Sequence, residues 1–307
     1  MRTGLLTALT LIAFAGNSIL CRMALLPGSD GAGAIGAPAF TALRLLSGAL
    51  VLAPLLLLAG SKQALPVRET APRSPWRSAG WPALMLATYA LTFSLSYVTV
   101  PAGIGALILF GTVQILMLGV ALARGERMSA AQVGGFLAAI AGIVVLVGPS
   151  AANSAASSGD RLDWAGAVLM VLAGVAWGFY TLLGRGSADP VRRTAQNFVA
   201  CVPFGLALGA YALWGDDARA TTRGVLLSVT SGALTSGAGY ALWYAALRGH
   251  SRSSAAAVQL LVPVLAALGG MVFLGEEPGV RFAVASVLVL GGVGAAVLLP
   301  SAPRARP

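Results

Sequence analysis

The feature that most constrains this chain is its succession of long apolar runs. Ten of them, near 3–22, 37–60, 80–98, 102–123, 130–148, 163–184, 194–214, 223–247, 254–274 and 280–299, are separated by short polar segments. A hydrocarbon core about 30 Å thick needs roughly 20 apolar residues wound as a helix, so each run has the length of one crossing. The runs use most of the 307 residues, leaving no stretch long enough for a soluble domain. The expected fold is an all-α integral membrane protein with ten transmembrane helices, and any chemistry has to sit among them.

Composition agrees: 57% of residues are hydrophobic, 10% are charged, and the mean hydropathy is +0.84. A formal charge of +10 raises nucleic acid as a partner, but the basic residues are spread over loops, with no patch that interleaves them with exposed aromatics. Membrane topology explains the excess better. With both termini placed in the cytoplasm, fourteen of the twenty Lys and Arg residues fall in inner segments and five in outer ones, leaving Arg44 within the second span. This bias fixes an inside N-terminus and an even number of spans. The start also resembles a signal peptide, with Ala13-Phe14-Ala15 as a cleavage site, but removing that helix would leave nine spans and upset the charge pattern. Cys21 and Cys201 sit in or at the end of apolar runs without metal-ligand spacing, and neither a metal nor a disulfide is expected.

The chain also resembles itself. An offset of 150 lays Gly125-Glu126 on Gly275-Glu276 and Gly142 on Gly292, and in earlier spans Phe14 and Arg22 correspond to Trp177 and Arg185 at equal internal spacing. The expected units are 1–149 and 161–300, each of five helices. Five being odd, the second unit enters the membrane inverted relative to the first, an arrangement secondary transporters use for alternating access.

These residues give the chain a resemblance to the drug/metabolite transporter superfamily, in its ten-helix type with two EamA-like halves. The likeness rests on "FTALRLLSGALVL" (40–52), "GER" (125–127), "GEE" (275–277) and Trp177-Gly178. Within that family the sequence is most similar to bacterial aromatic amino-acid exporters (YddG-like). The resemblance implies efflux of amino acids or related metabolites through a central cavity between the halves.

Ionisable groups within a span are costly, which makes each a functional candidate. Arg44 is the clear case. Facing a wet cavity, its guanidinium suits a carboxylate; the structural alternative is snorkelling to the interface or bonding backbone carbonyls. All ten acidic residues lie in loops or at helix ends, and the one histidine, His250, lies in a loop. An intramembrane carboxylate for proton exchange is therefore missing, and facilitated movement down a gradient is the expected mode. Aromatic faces follow helical spacing: Tyr89, Phe93 and Tyr97 in the third span, Trp177 and Tyr180 in the sixth, and Tyr240, Trp243 and Tyr244 in the eighth, with Ser236 a turn earlier. Such faces suit a cavity that contacts the apolar part of a solute, although Trp243 and Tyr244 near Arg248 also suit an interfacial anchor. Asn17, Gln114, Asn197 and Gln259 are amides within spans, where they either join helices or face a cavity. The candidate substrate-binding set is Asn17, Arg44, Tyr89, Phe93, Tyr97, Gln114, Trp177, Tyr180, Tyr240, Trp243 and Gln259.

Gly174 and Gly178, and Gly205 and Gly209, form Gly-x-x-x-Gly pairs that let helices approach closely. An embedded enzyme needs a nucleophile with a base or a metal cluster, and the spans supply neither His nor acid, so no catalytic residue and no cofactor are expected. A channel lacks its ring of charges or carbonyl filter. Sugar-phosphate carriers would want more than one cation within the spans, so phosphorylated metabolites stand, with drugs, only as the alternative cargo. One Lys against nineteen Arg, with abundant Ala and Gly, points to a GC-rich genome and so to a bacterial inner membrane. The sequence sets no oligomeric state.

Overall fold

The computed structural model describes residues 2–27, 35–59, 80–125, 128–147, 163–184, 187, 189–214, 220–247, 249–250 and 258–299. Among them every regular element is helical. In chain order these are α1 (Arg2–Leu25), α2 (Ala37–Ala59), α3 (Trp81–Ser96), α4 (Ala102–Ala123), α5 (Ala130–Val147), α6 (Trp164–Gly184), α7 (Pro190–Ala200), α8 (Val202–Trp214) and α9 (Thr222–Thr230). A π-helical segment, Ser231–Ala238, leads into α10 (Gly239–Leu247), followed by α11 (Leu261–Leu274) and α12 (Val280–Leu298). Eight helical stretches are long and apolar enough to cross a membrane, with α7–α8 and α9–α10 each counted as one stretch. The chain is thus a multi-pass membrane protein.

Local chemistry explains where elements stop and bend. Gly80, at φ 122°, opens α3 with Pro82 in its first turn, and Pro101 forbids helix at the residue before it, so α3 ends at Ser96 with only 16 residues. The seventh run starts at Pro190, earlier than expected, because Asp189 accepts the Arg192 amide as a cap at 3.0 Å. It then breaks at Cys201, since Pro203 has no N–H to offer the Val199 carbonyl. In the eighth run Thr235 Oγ1 donates to the Ser231 carbonyl at 2.7 Å, competing for the acceptor that the amide four residues on takes in an α-helix, and the winding is π there. Gly125 and Gly275, paired by the 150-residue offset, both turn left-handed at φ 81° and 64°. Of the residues that carried the repeat and the charge bias, Lys62, Arg68, Arg73, Arg77, Glu126, Arg127, Arg161, Arg185, Arg219, Arg248, Arg252, Arg304 and Arg306 lie outside the described residues.

Apolar surface on the outside of the bundle, such as Leu50, Leu213, Val272 and Val287, would be untenable in water and is ordinary against lipid. Lipid supplies no hydrophobic drive between helices, so close backbone approach has to hold them together. Gly174 sits against Thr112 and the Leu109 carbonyl, Gly178 against Leu116, and Gly205 and Gly209 against Leu46 and Ala42. The Gly-x-x-x-Gly pairs therefore seat α6 on α4 and α8 on α2. The remaining packing runs α5 on α12, α4 on α11 and α2 on α7; α1 packs on α11 and on the α9–π–α10 span, while α6 packs on α4 and on α3.

Candidate binding cavity

Where α1, α3, α4, α6 and the α9–π–α10 span converge, a small cavity lies between aromatic faces. Phe14, Asn17 and Ser18 line it from α1, Tyr89 and Phe93 from α3, Leu109 and Phe110 from α4, Trp177 from α6, and Thr235 and Tyr240 from the eighth span. The rings form a continuous box: Trp177 meets Tyr89 at 4.8 Å and Tyr240 at 5.0 Å between centroids, Tyr89 meets Phe93 at 5.3 Å, and Tyr240 meets Phe14 at 5.9 Å. The cavity measures about 20 Å³, room for one water and no organic solute. The helices are packed too tightly around it to hold a substrate in this conformation.

A polar cluster stands behind one wall of the box. Arg44 is only 2% exposed, and its guanidinium lies over the rings of Tyr89 and Phe93 at 5.2 and 4.8 Å. Its Nε donates to Ser236 Oγ at 3.0 Å and its Nη2 to Tyr89 Oη at 3.1 Å, while Nη1 is buried with no hydrogen-bond partner. It bonds no backbone carbonyl and forms no ion pair among the described residues. A buried cation held by hydroxyls and ring faces alone is electrostatically uncompensated. Tyr89 Oη also accepts Asn17 Nδ2 at 3.3 Å, and Asn17 Oδ1 in turn accepts Ser231 Oγ at 2.8 Å, with Thr235 Oγ1, whose proton goes to the Ser231 carbonyl, 3.2 Å away. Tyr89 thus uses both lone pairs as acceptors, which leaves its own O–H to donate.

Five of the eleven candidates, Asn17, Tyr89, Phe93, Trp177 and Tyr240, line the cavity, and Arg44 backs two of them. Tyr97 is buried behind Phe93, at 4.6 Å between centroids, and its hydroxyl donates to the Ala102 carbonyl at 3.3 Å. Tyr180 stacks on Trp177 at 5.2 Å, outside the lining, and Trp243 touches Phe14 at 5.8 Å. Gln114 is buried on α4 and Gln259 half-buried before α11, and neither lines this cavity. Sequence reading missed Phe14 and Ser18, which share the α1 face of Asn17 at helical spacing, and the Ser231–Thr235 hydroxyl pair one turn apart. Those spacings were the available signal. Among the described residues no group of His, Cys, Asp or Glu is placed to hold a metal.

The ends of the bundle are tied differently. At one end Arg22 pairs with Glu276, and Thr99 Oγ1 donates to Asp163 Oδ2 at 2.8 Å beside the start of α6. That hydrogen bond, helped by the Gly166 and Ala165 amides, holds the Asp163 carboxyl below its ordinary value. At the other end Tyr180 Oη lies 3.5 Å from both Thr194 Oγ1 and Asn197 Nδ2.

An all-helical bundle that spans a membrane many times around a small aromatic-lined cavity is an architecture that suits a membrane transporter. A model of the EamA-like transporter family matches residues 164–298. The chain is 47% identical to an uncharacterized protein of Pseudomonas aeruginosa over 99% of this chain and 97% of that one. It is 28% identical to an uncharacterized transporter of Archaeoglobus fulgidus, over 67% of this chain and 70% of the relative. A solved crystal structure superposes at TM-score 0.58 and 24% identity, covering 95% of this chain and 99% of its own, which shows a shared fold.

Proposed function

We propose that the chain is a secondary carrier that exports amino acids, aromatic and other neutral ones, or closely related metabolites, across the bacterial inner membrane by alternating access. The observation that carries this reading is the uncompensated Arg44 guanidinium stacked on two rings of the cavity wall. An amino acid brings what the site lacks: a carboxylate for the buried cation and, in aromatic members, a ring for the box formed by Tyr89, Phe93, Trp177 and Tyr240. The candidate residues fall on this scheme as a polar wall (Asn17, Arg44), an apolar box, and supporting groups (Tyr97, Gln114, Tyr180, Trp243, Gln259).

The transport cycle in this reading uses ten spans in two inverted five-helix units, 1–149 and 161–300, with both termini cytoplasmic. The packing pattern supports it. Exchanging the halves turns the α1–α11 pair into α6–α4 and the pair of α1 with the eighth span into α6–α3, while α5–α12, α4–α11 and α2–α7 map onto themselves. Charge bias in the loops supports the orientation. With no acid in the spans, movement follows the substrate gradient.

The test is uptake of labelled amino acids into liposomes carrying the purified protein, across aromatic, aliphatic, acidic and basic members. Saturable uptake of neutral or aromatic amino acids, competed by unlabelled substrate and lost for their carboxyl esters, is the expected outcome. Folded protein that moves none of them, but moves phosphorylated metabolites or cationic drugs, overturns the substrate assignment. Uptake that follows an imposed pH gradient at zero membrane potential overturns the uncoupled mode.

A further inference from the structure

One end of the bundle, where α1, α3, α4 and α11 meet, is held by a compact set of charged contacts. Arg22, in the last turn of α1, pairs with Glu276, which follows the left-handed Gly275 at the end of α11, at 3.2 Å from Nε to Oε1. The two side chains are only 11% and 16% exposed. Each also grips the backbone of another helix. Arg22 Nη1 donates to the Tyr97 and Val98 carbonyls, both at 2.8 Å, and Glu276 Oε2 accepts the Ala102 amide at 2.8 Å. The carbonyls lie at the C-terminal end of α3 and the amide at the N-terminal end of α4, so each side-chain charge meets the helix dipole it complements.

The direction of these bonds matters more than their number. Helix α1 packs with α11 and the eighth span and α3 packs on α6, while α4 packs on α6 and also on α11; the cavity lies between the α1 and α6 sides. The Arg22–Glu276 ion pair joins members of the α1 side. The bonds to Tyr97, Val98 and Ala102 run from that side to α3 and α4. Beside them, α11 closes on α4 so tightly that a Cβ on Gly103 would overlap Ala267. Ser18, a cavity-lining residue, lies one turn before Arg22 on α1, so separating the end of α1 from α3 uncovers the cavity.

We propose that Arg22 and Glu276 form the gate for this face of the membrane: the cavity stays shut there while they hold α3 and α4, and opens to that face when those bonds break. This rests on the carrier reading, whose orientation makes the gated face periplasmic. The ion pair itself travels with α1 and α11, so neither charge is left bare during opening. The clasp acts through the helices and needs no contact with substrate.

The experiment uses the full chain with Ser18→Cys and a membrane-impermeant maleimide, applied to right-side-out and to inverted vesicles. Protein without the new thiol gives the background from Cys21 and Cys201, both buried. Glu276→Gln and, separately, Arg22→Gln keep side-chain shape and remove one charge. The expected result is labelling from the periplasmic face that rises about tenfold or more in each variant, with labelling from the cytoplasmic face not increased. Should either variant lose the wild-type melting temperature, Ala102→Pro replaces it. That change removes the amide that Glu276 accepts, at a helix start where Pro101, with ψ 151°, already has the conformation a following proline requires; because Ala102 is fully buried, its labelling is read beside that of Ala102→Val, which adds side-chain bulk and keeps the amide. Unchanged labelling on both faces in folded variants overturns the gate. A rise confined to inverted vesicles keeps the gate and overturns the orientation. The expected labelling pattern without amino-acid uptake keeps the gate and overturns the substrate.

Discussion

At the Arg22–Glu276 end of the cavity, charged groups bond backbone atoms of facing helices at 2.8 Å; at the opposite end Glu126 and Arg185, the repeat counterparts of Glu276 and Arg22, lie outside the described residues, and the described contact between α6 and α7 is neutral, with Tyr180 Oη 3.5 Å from Thr194 and from Asn197. The His250–Thr7 contact at 2.8 Å also lies at that second end, but it ties the eighth span to α1, both on the α1 side, and does not cross the cavity. Charge-assisted bonds are shorter and roughly twice as strong as neutral ones, so these two sets of described contacts differ in what it takes to part them. Arg44 belongs to the charged half, in the part of α2 nearer that end, and the hydroxyl and amide groups on α6 and α7 belong to the neutral half.

The largest test of this contrast is Arg44→Gln, which removes the buried cation while leaving an amide to meet Ser236 and Tyr89. Amino-acid uptake is expected to fall by about tenfold or more, with expression and melting temperature retained, since one charge-assisted contact to a carboxylate is lost. Uptake at the wild-type rate would remove Arg44 from the site and leave it a packing residue. Next in size is Gly232→Ala. A Cβ there would overlap Ser47 Oγ and the Arg44 backbone, so the π segment has to leave α2, and a loss of about 1–3 kcal/mol, read as a lower melting temperature, is expected.

Thr194→Val probes the neutral end. It deletes a neutral hydroxyl that lies 3.5 Å from Tyr180 Oη and donates to the Pro190 carbonyl of its own helix at 2.9 Å, so stability is expected to change by no more than about 1–1.5 kcal/mol, and labelling of Ser18→Cys from the cytoplasmic face by less than about threefold. A change as large as that from Glu276→Gln would erase the asymmetry between the ends. The smallest effect is at Asp163. Its folded carboxyl titrates below the ordinary value of 3.8, so it stabilises the fold above that pH, and this contribution fades as the pH falls through the lowered folded value. Asp163→Asn should flatten melting temperature against pH only in that acidic window; flattening near neutrality would point to another group.

Run length and charge reached far into the fold because lipid leaves a chain few options. The first, second, fourth, fifth, sixth and tenth runs all recur as helices with closely similar limits. Where reading fell short, the cause was local backbone chemistry that apolar runs do not report: Pro101 cutting α3 short, Pro203 splitting α7 from α8, and a threonine hydroxyl widening the eighth span into a π-helix. Within the candidate site, helical spacing found the rings but could not assemble them. Tyr89, Trp177 and Tyr240 come from three spans, and only packing decides that they face one another while Gln114 and Gln259 do not join them.

By itself the sequence determined the solvent, the helical class and the rarity of charge inside the spans, because burying a backbone in hydrocarbon leaves helices and penalises ions in a way that composition and run length record directly. Tertiary structure alone decided that Arg44 is buried without a counter-ion, that Arg22 reaches Glu276 across 254 residues of chain, and that their bonds tie α1 and α11 to α3 and α4. Those are relations between distant segments, fixed by which small residues let which helices meet, and no local pattern along the chain encodes the meeting.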